Sequence, residues 1–147
     1  MKIYITNSND ELPNYTTFSP LRGINTRIIS DEDCADSEAE SIIVESIDFI
    51  PLNSVVHSIQ NYVKKLKKGG SITIAGTDAY LLSGEMVKRN LSAVEYNSKI
   101  FGGPSAYQLK MSIISVTDVV GILESLNVRV MKKQINSVNY IVEGIKL

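Results

Sequence analysis

The strongest constraint on the fold is a strand–helix–strand unit between residues 42 and 75. Residues 42–44, IIV, form an apolar run typical of a strand that is covered on both faces of a parallel sheet. Residues 54–66 then have one apolar stripe at helical spacing, and residues 71–75, SITIA, are a second β-rich segment. Two parallel strands joined by a helix need a crossover connection, which is almost always right-handed. The unit therefore predicts an α/β domain with a parallel sheet.

Local signals predict where the helix of this unit begins and ends. Ser54 precedes the apolar stripe, where its hydroxyl can accept a backbone N–H of the first turn. Gly69 follows the stripe, and we expect it to end the helix in the left-handed conformation. A basic cluster lies just before it, where cations offset the negative end of the helix dipole: Lys64, Lys65, Lys67 and Lys68. We expect this cluster to be a solvated helix end rather than a phosphate-binding patch.

The segments before this unit predict short strands and a surface loop. Residues 2–6, KIYIT, form a β-rich segment, and residues 15–18 and 24–29 are weaker candidates for peripheral strands. Residues 30–40 are acidic and have few large apolar side chains, which predicts a solvated loop. The strand at residues 2–6 is expected to pair in parallel with the strands at residues 41–45 and 71–75.

The segments after this unit predict two helices, a loop and a hairpin. Asp78 can cap one helix, and Ser115 or Thr117 can cap another that ends at Asn127. Between the two helices, residues 97–107 contain two glycines and a proline, which predicts a long loop. Residues 128–135 and 138–145 flank a two-residue turn and predict a closing antiparallel hairpin at the far side of the sheet.

Residues 40–78 resemble the central part of short class I S-adenosylmethionine-dependent methyltransferases of bacteria and tailed phages. In both, a hydrophobic strand leads into a turn, an amphipathic helix ends near paired glycines, and a strand leads to an aspartate, here Asp78. Residues 100–103, IFGG, also resemble a loop that these proteins often have. The resemblance implies a single Rossmann-like methyltransferase domain over residues 1–147, with a mostly parallel sheet and a C-terminal antiparallel hairpin.

The sequence departs from this family where the family binds its cofactor. A glycine-rich loop follows the family's first strand, because glycine lets the backbone approach a ligand closely. Here that position has Asn7, Ser8, Asn9 and Asp10, and the first glycine is Gly23. The family's ribose-binding carboxylate at the end of the second strand is also missing, since that region reads FSP, residues 18–20. These departures predict a degraded S-adenosylmethionine site.

Candidate site residues follow from the strand ends. Open α/β sheets bind ligands outside the carboxyl ends of their strands, where the strand order reverses. The predicted cofactor-binding residues are Thr6, Asn7, Ser8, Asn9, Glu45, Ser46 and Asp48. The predicted substrate-binding residues are Thr77, Asp78 and Tyr80. An ordinary polar turn or helix cap remains the alternative for each of them.

No catalytic or metal-binding group is predicted. The only histidine, His57, lies within the predicted helix, and the only cysteine, Cys34, lies in the acidic segment, which should raise the pKa of its thiol. The carboxylates of that segment lack the glycine and terminal glutamate spacing of a calcium loop. A lone cysteine also excludes a disulfide or cysteine-based zinc site within one chain.

The composition narrows the classes of partner. A chain of 147 residues with 44% hydrophobic content can bury a core without disulfides or a bound metal ion. Its net charge of −1 makes nucleic acid an unfavourable partner. No apolar run approaches the roughly 20 residues of a membrane span, and the N-terminus does not resemble a signal peptide. We therefore expect a cytoplasmic protein.

Two functions remain open from the sequence. The first is a non-catalytic methyltransferase-like protein that binds no cofactor and uses a surface to contact a protein partner or another copy of itself. The second is an active small methyltransferase that still binds S-adenosylmethionine through an unusual loop. The missing glycines favour the first function, whereas fold resemblance by itself does not decide between them.

Overall fold

A computed structural model describes residues 1–103 and 109–147. Its longer elements are, in chain order, β1 (Lys2–Ile5), β2 (Thr16–Phe18), β3 (Ala39–Val44), α1 (Val55–Lys65), β4 (Leu66–Thr77), α2 (Ala79–Val87), α3 (Ala93–Phe101), α4 (Val116–Ser125), β5 (Val128–Asn136) and β6 (Asn139–Lys146). Short 3₁₀ turns lie at Pro20–Arg22, Ile47–Phe49 and Leu52–Ser54. No helix in the described residues is both long and apolar enough to cross a membrane.

The strands form one six-stranded sheet in the order β2-β1-β3-β4-β6-β5. Neighbours from β2 to β4 are parallel, whereas β6 is antiparallel to both β4 and β5. The predicted parallel set is confirmed, because Ile3 pairs with Ile42 and Ile42 pairs with Ile72. The predicted closing hairpin is also confirmed at the far side of the sheet, with Asn136 opposite Asn139.

The hydrophobic core lies on one face of this sheet. Alternate strand residues such as Ile3, Ile42, Ile72 and Val142 are fully buried there. They pack with the apolar sides of two helices, which supply Val55, Ile59, Tyr62 and Val63 from α1 and Val116, Val119 and Leu123 from α4. The same core includes Ile29 and Cys34 from the connection between β2 and β3. This face therefore has the helical cover expected of an α/β sheet.

The opposite face of the sheet has side chains that are half-buried or exposed. Ile43 is only half-buried although it lies between the buried Ile42 and Val44. Ser71, Thr73 and Ala75 of β4 and the neighbouring side chains of β6 are similarly accessible, and Ile141 is 39% exposed. The prediction that residues 42–44 form a strand covered on both faces is therefore wrong for the described residues. We call this surface, formed by Ile43, Glu45, Ser71, Thr73, Ala75, Arg129, Lys132, Gln134, Ile141, Glu143 and Ile145, the open face.

The ends of α1 differ from the prediction. Ser54 makes no capping hydrogen bond through its side chain, because it belongs to a 3₁₀ turn that leads into the helix. The helix ends at Lys65, and Leu66 is already extended and begins β4. Gly69 has the expected positive φ of 78° but lies within β4, next to an irregularity in the pairing with β3. The left-handed glycine therefore bends a strand rather than capping a helix.

Two other predicted segments have a different structure. Residues 24–29 form no strand, because α1 satisfies part of their backbone: Asn61 bonds both the N–H and the C=O of Ile29, at 2.7 and 3.2 Å, and Tyr62 donates to the carbonyl of Thr26. The predicted loop at residues 97–107 is helical in its first part, because it contains the end of α3, a helix that Ser92 caps by accepting the N–H of Glu95 at 3.1 Å. Residues 104–107 of that loop lie outside the described residues.

Predicted caps farther along the chain are confirmed. The carboxylate of Asp78 accepts the backbone N–H groups of Tyr80 and Leu81, both at 2.9 Å. Ser115 accepts the N–H of Asp118 at 3.2 Å, and Asn127 follows α4 with a positive φ of 59°. The sequence signals for helix ends were therefore reliable where the capping residue is followed directly by a helix.

The acidic segment and the basic cluster are joined by ion pairs instead of both being simply solvated. The side chain of Lys65 is 1% exposed and contacts the carboxylates of Asp31 and Asp36. Asp36 also pairs with Lys64, and Lys67 pairs with Glu40 at 3.1 Å. These lysines hold the pKa of Asp36 below its ordinary value, chiefly through hydrogen bonds. The contacts fix the acidic segment against the end of α1.

Candidate active-site edge of the sheet

The carboxyl ends of the parallel strands meet at one edge of the sheet. Thr6 follows β1, Glu45 follows β3, and Thr77 ends β4. The chain passes from β1 to one neighbour, β2, and then returns past β1 to β3, so the strand order reverses between β1 and β3. This reversal is where open α/β sheets bind ligands. We call the gap between the ends of β1 and β3 the crevice.

The crevice is bridged by polar side chains of the protein itself. Thr6, which is 1% exposed, donates a hydrogen bond from Oγ1 to Oε2 of Glu45. Ser8 contacts Thr6 at 2.9 Å and donates to Asp10 at 2.8 Å, so the loop after β1 is held by its own side chains. Ser19, at the end of β2, donates to the carbonyl of Ser8 at 3.1 Å. The ends of three neighbouring strands are thus connected to one another.

Electrostatics at the crevice also involve a tyrosine of β1. Burial raises the pKa of Tyr4, and the nearby carboxylate of Glu45 raises it further. Both effects oppose a second negative charge next to Glu45. The phenol therefore remains neutral near neutral pH.

A second polar network lies on the other side of β3. The carboxylate of Asp48 is 1% exposed and pairs with the ammonium of Lys110 at 3.0 Å. Asp48 also accepts the backbone N–H of Thr77 at 3.1 Å, and Lys110 donates to the hydroxyl of Thr77 at 2.9 Å. The carbonyl of Asp48 accepts the N–H of Met111 at 2.7 Å. A buried carboxylate is therefore neutralised by a lysine from a distant segment.

An open cleft of about 390 Å³ lies above this network. It is lined by Glu45, Ser46, Asp48, Ala75, Gly76, Thr77, Lys110, Gln134, Asn136, Asn139, Tyr140 and Ile141. The hydroxyl of Tyr140 is buried and has no hydrogen-bond partner among residues 1–103 and 109–147. Burial, and then the nearby charge of Asp48, raises the pKa of Tyr140. The cleft therefore has a mixed polar lining with one neutral phenol at its base.

Gly76 gives Tyr140 the space that its ring needs. A Cβ atom at this position would lie 2.7 Å from the Tyr140 hydroxyl oxygen and 2.9 Å from Cγ2 of Ile47. Real Cβ atoms do not approach other heavy atoms so closely, so any side chain here would displace one of the two neighbours. The glycine in the segment AGT, residues 75–77, is thus required by packing at the base of the cleft.

Some of the predicted site residues line the cleft, and others lie at the crevice. Glu45, Ser46, Asp48 and Thr77 line the cleft. Asn7 and Ser8 line a smaller hollow of about 260 Å³ at the crevice, which they share with Glu45, Ser46 and Phe49. Thr6 is buried beneath the crevice, and Asn9 is exposed on the loop after β1.

Two predicted substrate-binding residues have other surroundings. Asp78 is buried, and its second carboxylate oxygen accepts the N–H of Val116 at 2.9 Å while the first caps α2. Tyr80 is 76% exposed on α2 and does not line the cleft. The alternative of a helix cap therefore describes the contacts of one carboxylate oxygen of Asp78, and the other oxygen bonds the first residue of α4.

Sequence reasoning missed Lys110 and the residues of the hairpin. Lys110 is separated from its partner Asp48 by 62 positions, and no local pattern indicates such a pair. Gln134, Asn136 and Asn139 flank the hairpin turn, where polar residues are common for reasons of turn geometry alone. The sequence offered one signal for these cleft residues, which is the polar tip of a hairpin predicted beside the parallel sheet.

His57 and Cys34, the two other residues considered for catalysis, lie away from both the cleft and the crevice. His57 is exposed on α1, and Cys34 is buried in the core. Burial, followed by the charge of Glu38, raises the pKa of the Cys34 thiol in the predicted direction. Within the described part of the chain, no three histidine, cysteine, aspartate or glutamate side chains are grouped so that they could hold a metal ion.

Comparison with known proteins identifies the fold. The sequence matches no protein-family model and no curated protein. Solved structures do match. One is a protein from Pyrococcus horikoshii OT3, with a TM-score of 0.63 and 13% identity over 99% of this chain and 71% of that one. Another is a chain from the complex between the Haloferax volcanii Trm112 methyltransferase activator and a candidate methyltransferase, with a TM-score of 0.59 and 8% identity over 97% of this chain and 70% of that one. A third is an S-adenosylmethionine-dependent methyltransferase from Thermotoga maritima, with a TM-score of 0.58 and 12% identity. The match covers 100% of this chain and 73% of that one. At these identities the likeness concerns the fold alone, which is that of a Rossmann-like methyltransferase.

Proposed function

We propose that this chain is a methyltransferase-like protein that has lost its cofactor site and acts without catalysis. The observation that supports this proposal best is the hydrogen bond from Thr6 to Glu45. It connects the ends of β1 and β3 at the reversal of strand order, the place where a cofactor would have to approach the backbone. This bridge supports the proposal, because a ligand at the reversal of strand order would have to displace it.

The energy of displacing this bridge opposes cofactor binding. Thr6 is buried, so breaking its bond would leave a hydroxyl without a partner unless the ligand replaced it. A hydrogen bond to a charged group contributes about 1.5–3 kcal/mol, and the contacts of Ser8 with Thr6 and Asp10 add to the cost of moving the loop. The hollow that remains, about 260 Å³, is also below the usual range of ligand pockets, roughly 300–1,000 Å³.

An active methyltransferase is the second candidate, and the cleft favours it. Glu45 and Ser46 line both the hollow and the cleft, so a cofactor in one would lie next to a substrate in the other. Methyl transfer depends mainly on in-line positioning, so the absence of an evident acid or base does not oppose it. This candidate needs the loop after β1 to move away from Glu45.

A titration with S-adenosylmethionine and S-adenosylhomocysteine separates the two candidates. A ligand at 100 times its Kd stabilises a protein by about 2.7 kcal/mol, which raises the melting temperature of a domain of this size by several degrees. We expect no such shift at millimolar concentrations of either compound. A saturable shift that disappears when Asn7 and Asn9 are replaced by tryptophan would overturn the proposal and support an active enzyme.

A loop variant sharpens the same experiment. Replacing Thr6 by Ala and Asn7 and Asn9 by Gly removes the bridge and restores close backbone approach. If the side chains alone exclude the cofactor, this triple variant should bind S-adenosylmethionine measurably while the parent does not. A control variant, Asn53→Gly, changes an exposed position of the 3₁₀ turn before α1 and should leave the titration unchanged.

The same proposal includes a protein partner for the single domain formed by residues 1–147. Support comes from the Haloferax volcanii match, whose structure is a complex with a methyltransferase activator. A non-catalytic protein with a retained core has its surface available for such contacts.

A further inference from the structure

The cleft is crossed by a row of four side chains from neighbouring strands. The register of β3 and β4, continued by one residue beyond β3, brings Glu45 beside Ala75. Ala75 pairs with Ile141, and Ile141 pairs with Gln134. All four belong to the open face and line the cleft. Glu45 and Ile141 are two strand spacings apart, roughly 10 Å. The row therefore has a carboxylate at one end, a small side chain next to it, and then an apolar side chain and an amide.

A second row, closer to the strand ends, is polar. Thr77 pairs with Asn139, and Asn139 pairs with Asn136 across the hairpin. The hydroxyl of Thr77 accepts a hydrogen bond from Lys110 at 2.9 Å and lies 3.4 Å from Oδ1 of Asn139. These residues also line the cleft. The cleft thus combines an apolar floor with a polar rim, as small-molecule sites do.

The charges of the cleft do not cancel. Its charged lining residues, among those that the structure describes, are Glu45, Asp48 and Lys110. Asp48 and Lys110 pair with each other at 3.0 Å. Glu45 forms no ion pair within residues 1–103 and 109–147. Thr6 donates to its Oε2, and a carboxylate can accept hydrogen bonds at both oxygens. The cleft therefore has one negative charge that can accept the N–H of a ligand.

The base of the cleft favours positive charge as well. The buried hydroxyl of Tyr140 has no hydrogen-bond partner in the described part of the chain. Burial, followed by the charges of Asp48, Asp78 and Asp118, raises the pKa of Tyr140. Carboxylates that oppose ionisation of this phenol also oppose an anionic ligand beside it. A cationic ligand is attracted by the same charges.

From these contacts we propose that the cleft binds a small primary amine with a short apolar stem. The ammonium group donates to Glu45, and the stem lies over Ala75 and against Ile141. The volume of about 390 Å³ is within the usual range of ligand pockets, roughly 300–1,000 Å³. Glu45 keeps its bond with Thr6, so the loop after β1 does not have to move. The inference goes beyond the proposed function, because it needs neither the cofactor nor methyl transfer.

Three probes with the same stem and different charge test this inference. They are n-butylammonium, n-butanol and butyrate, each titrated into the full chain at constant ionic strength and followed by amide NMR. Butylammonium should give saturable shifts at the N–H groups of Ala75 and Ile141 and at the side-chain amide of Gln134, with a Kd in the millimolar range. Butanol should bind at least about tenfold more weakly, because a hydrogen bond to a charged group is lost. Butyrate should give no saturable shift at these positions.

The ranking of the three probes decides the inference without any variant. Equal affinities for butylammonium and butanol would overturn it, since the charge of Glu45 would then have no role. Stronger binding of butyrate, or saturable shifts confined to residues outside the cleft, would overturn it too. The absence of any saturable shift with butylammonium has the same consequence.

A pair of variants assigns the charge to one residue. Glu45→Gln removes the charge but keeps an oxygen that can accept the hydroxyl of Thr6, and it should lower the affinity for butylammonium to that for butanol. Glu143→Gln makes the same exchange on the same face, at a position that does not line the cleft and whose charge Lys132 offsets at 4.0 Å. This control should bind butylammonium like the parent. Unchanged affinity in Glu45→Gln, or an equal loss in both variants, would contradict the site.

None of these titrations contains S-adenosylmethionine, so their outcome is separate from that of the proposed loss of the cofactor site. Amine binding without a cofactor-induced thermal shift supports both proposals. A cofactor-induced shift together with amine binding overturns the proposed function alone, and absent amine binding overturns this inference alone.

Discussion

Two neighbouring residues of β3 illustrate how different the two faces of the sheet are. Ile42 is fully buried in the core with residues of α1 and α4, whereas Ile43 is half-buried on the open face. The chemical character of the two side chains is identical, and only the presence of helices distinguishes their surroundings. An apolar run in a strand therefore indicates burial on at least one face but does not reveal whether the second face is covered within the same chain.

The largest expected effect on the free energy of unfolding comes from replacing these two isoleucines by alanine in two separate variants. Ile42→Ala removes a fully buried side chain and should lower the free energy of unfolding by about 2–5 kcal/mol. Ile43→Ala should cost less than about 1 kcal/mol, since its side chain is already partly in water. Urea denaturation measures both values. Equal costs would mean that the open face is covered in the monomer.

A smaller effect is expected at Gly76, where the base of the cleft meets the core. Gly76→Ala places a Cβ against the Tyr140 hydroxyl and Ile47, and such overpacking costs about 1–3 kcal/mol. The double variant with Tyr140→Phe should recover part of this loss, because the closest atom is removed. A double-mutant cycle by thermal denaturation checks the coupling. Additive effects would show that the contacts left in the double variant, with Ile47 and with Cζ of the ring, resist the added methyl group.

The sequence predicted the sheet well because its signals are local. The strands at β1, β3 and β4, the helix between β3 and β4, and the Asp78 and Ser115 caps all depend on residues that are close in the chain. The candidate site was predicted less completely, since Lys110 and the hairpin residues reach the cleft only through long-range contacts. Residues 24–29 were misjudged for the same reason, because side chains of α1 satisfy their backbone.

An intermediate effect with a defined pH dependence is expected for the ion pairs of Lys65. Lys65→Met keeps the apolar stem but removes the contacts with Asp31 and Asp36, which should cost about 1–2 kcal/mol because both partners are partly in water. The folded pKa of Asp36 is below its ordinary value, so its contribution is present above that value and is lost as the pH falls through the folded pKa. The parent should therefore lose stability below about pH 4 more steeply than Asp36→Asn. Acid titrations of the parent and of Asp36→Asn, followed by circular dichroism, measure the two losses. Equal slopes below about pH 4 would contradict the role given to Asp36.

The smallest effect is expected for Tyr140→Phe alone. The hydroxyl has no protein partner in the described structure, so its removal should change the free energy of unfolding by less than about 0.5 kcal/mol or increase it slightly. Thermal denaturation of the parent and the variant is the measurement. A loss above about 1 kcal/mol would indicate that an ordered water in the cleft satisfies the hydroxyl. Phe18→Leu, a buried aromatic exchange without a hydroxyl, serves as the control for ring packing.

The position of β6 in the sheet has a consequence for how the chain reaches its native structure. β6 lies between β4 and β5, and its pairing joins Ser71 to Ile145 across more than half of the sequence. Closing so long a loop is entropically unfavourable before its contacts form, so folds with many distant pairings fold slowly. During synthesis, β4 lacks its second neighbour until both strands of the hairpin have left the ribosome. Until then its exposed edge can pair with strands of other molecules, which favours aggregation of the incomplete chain.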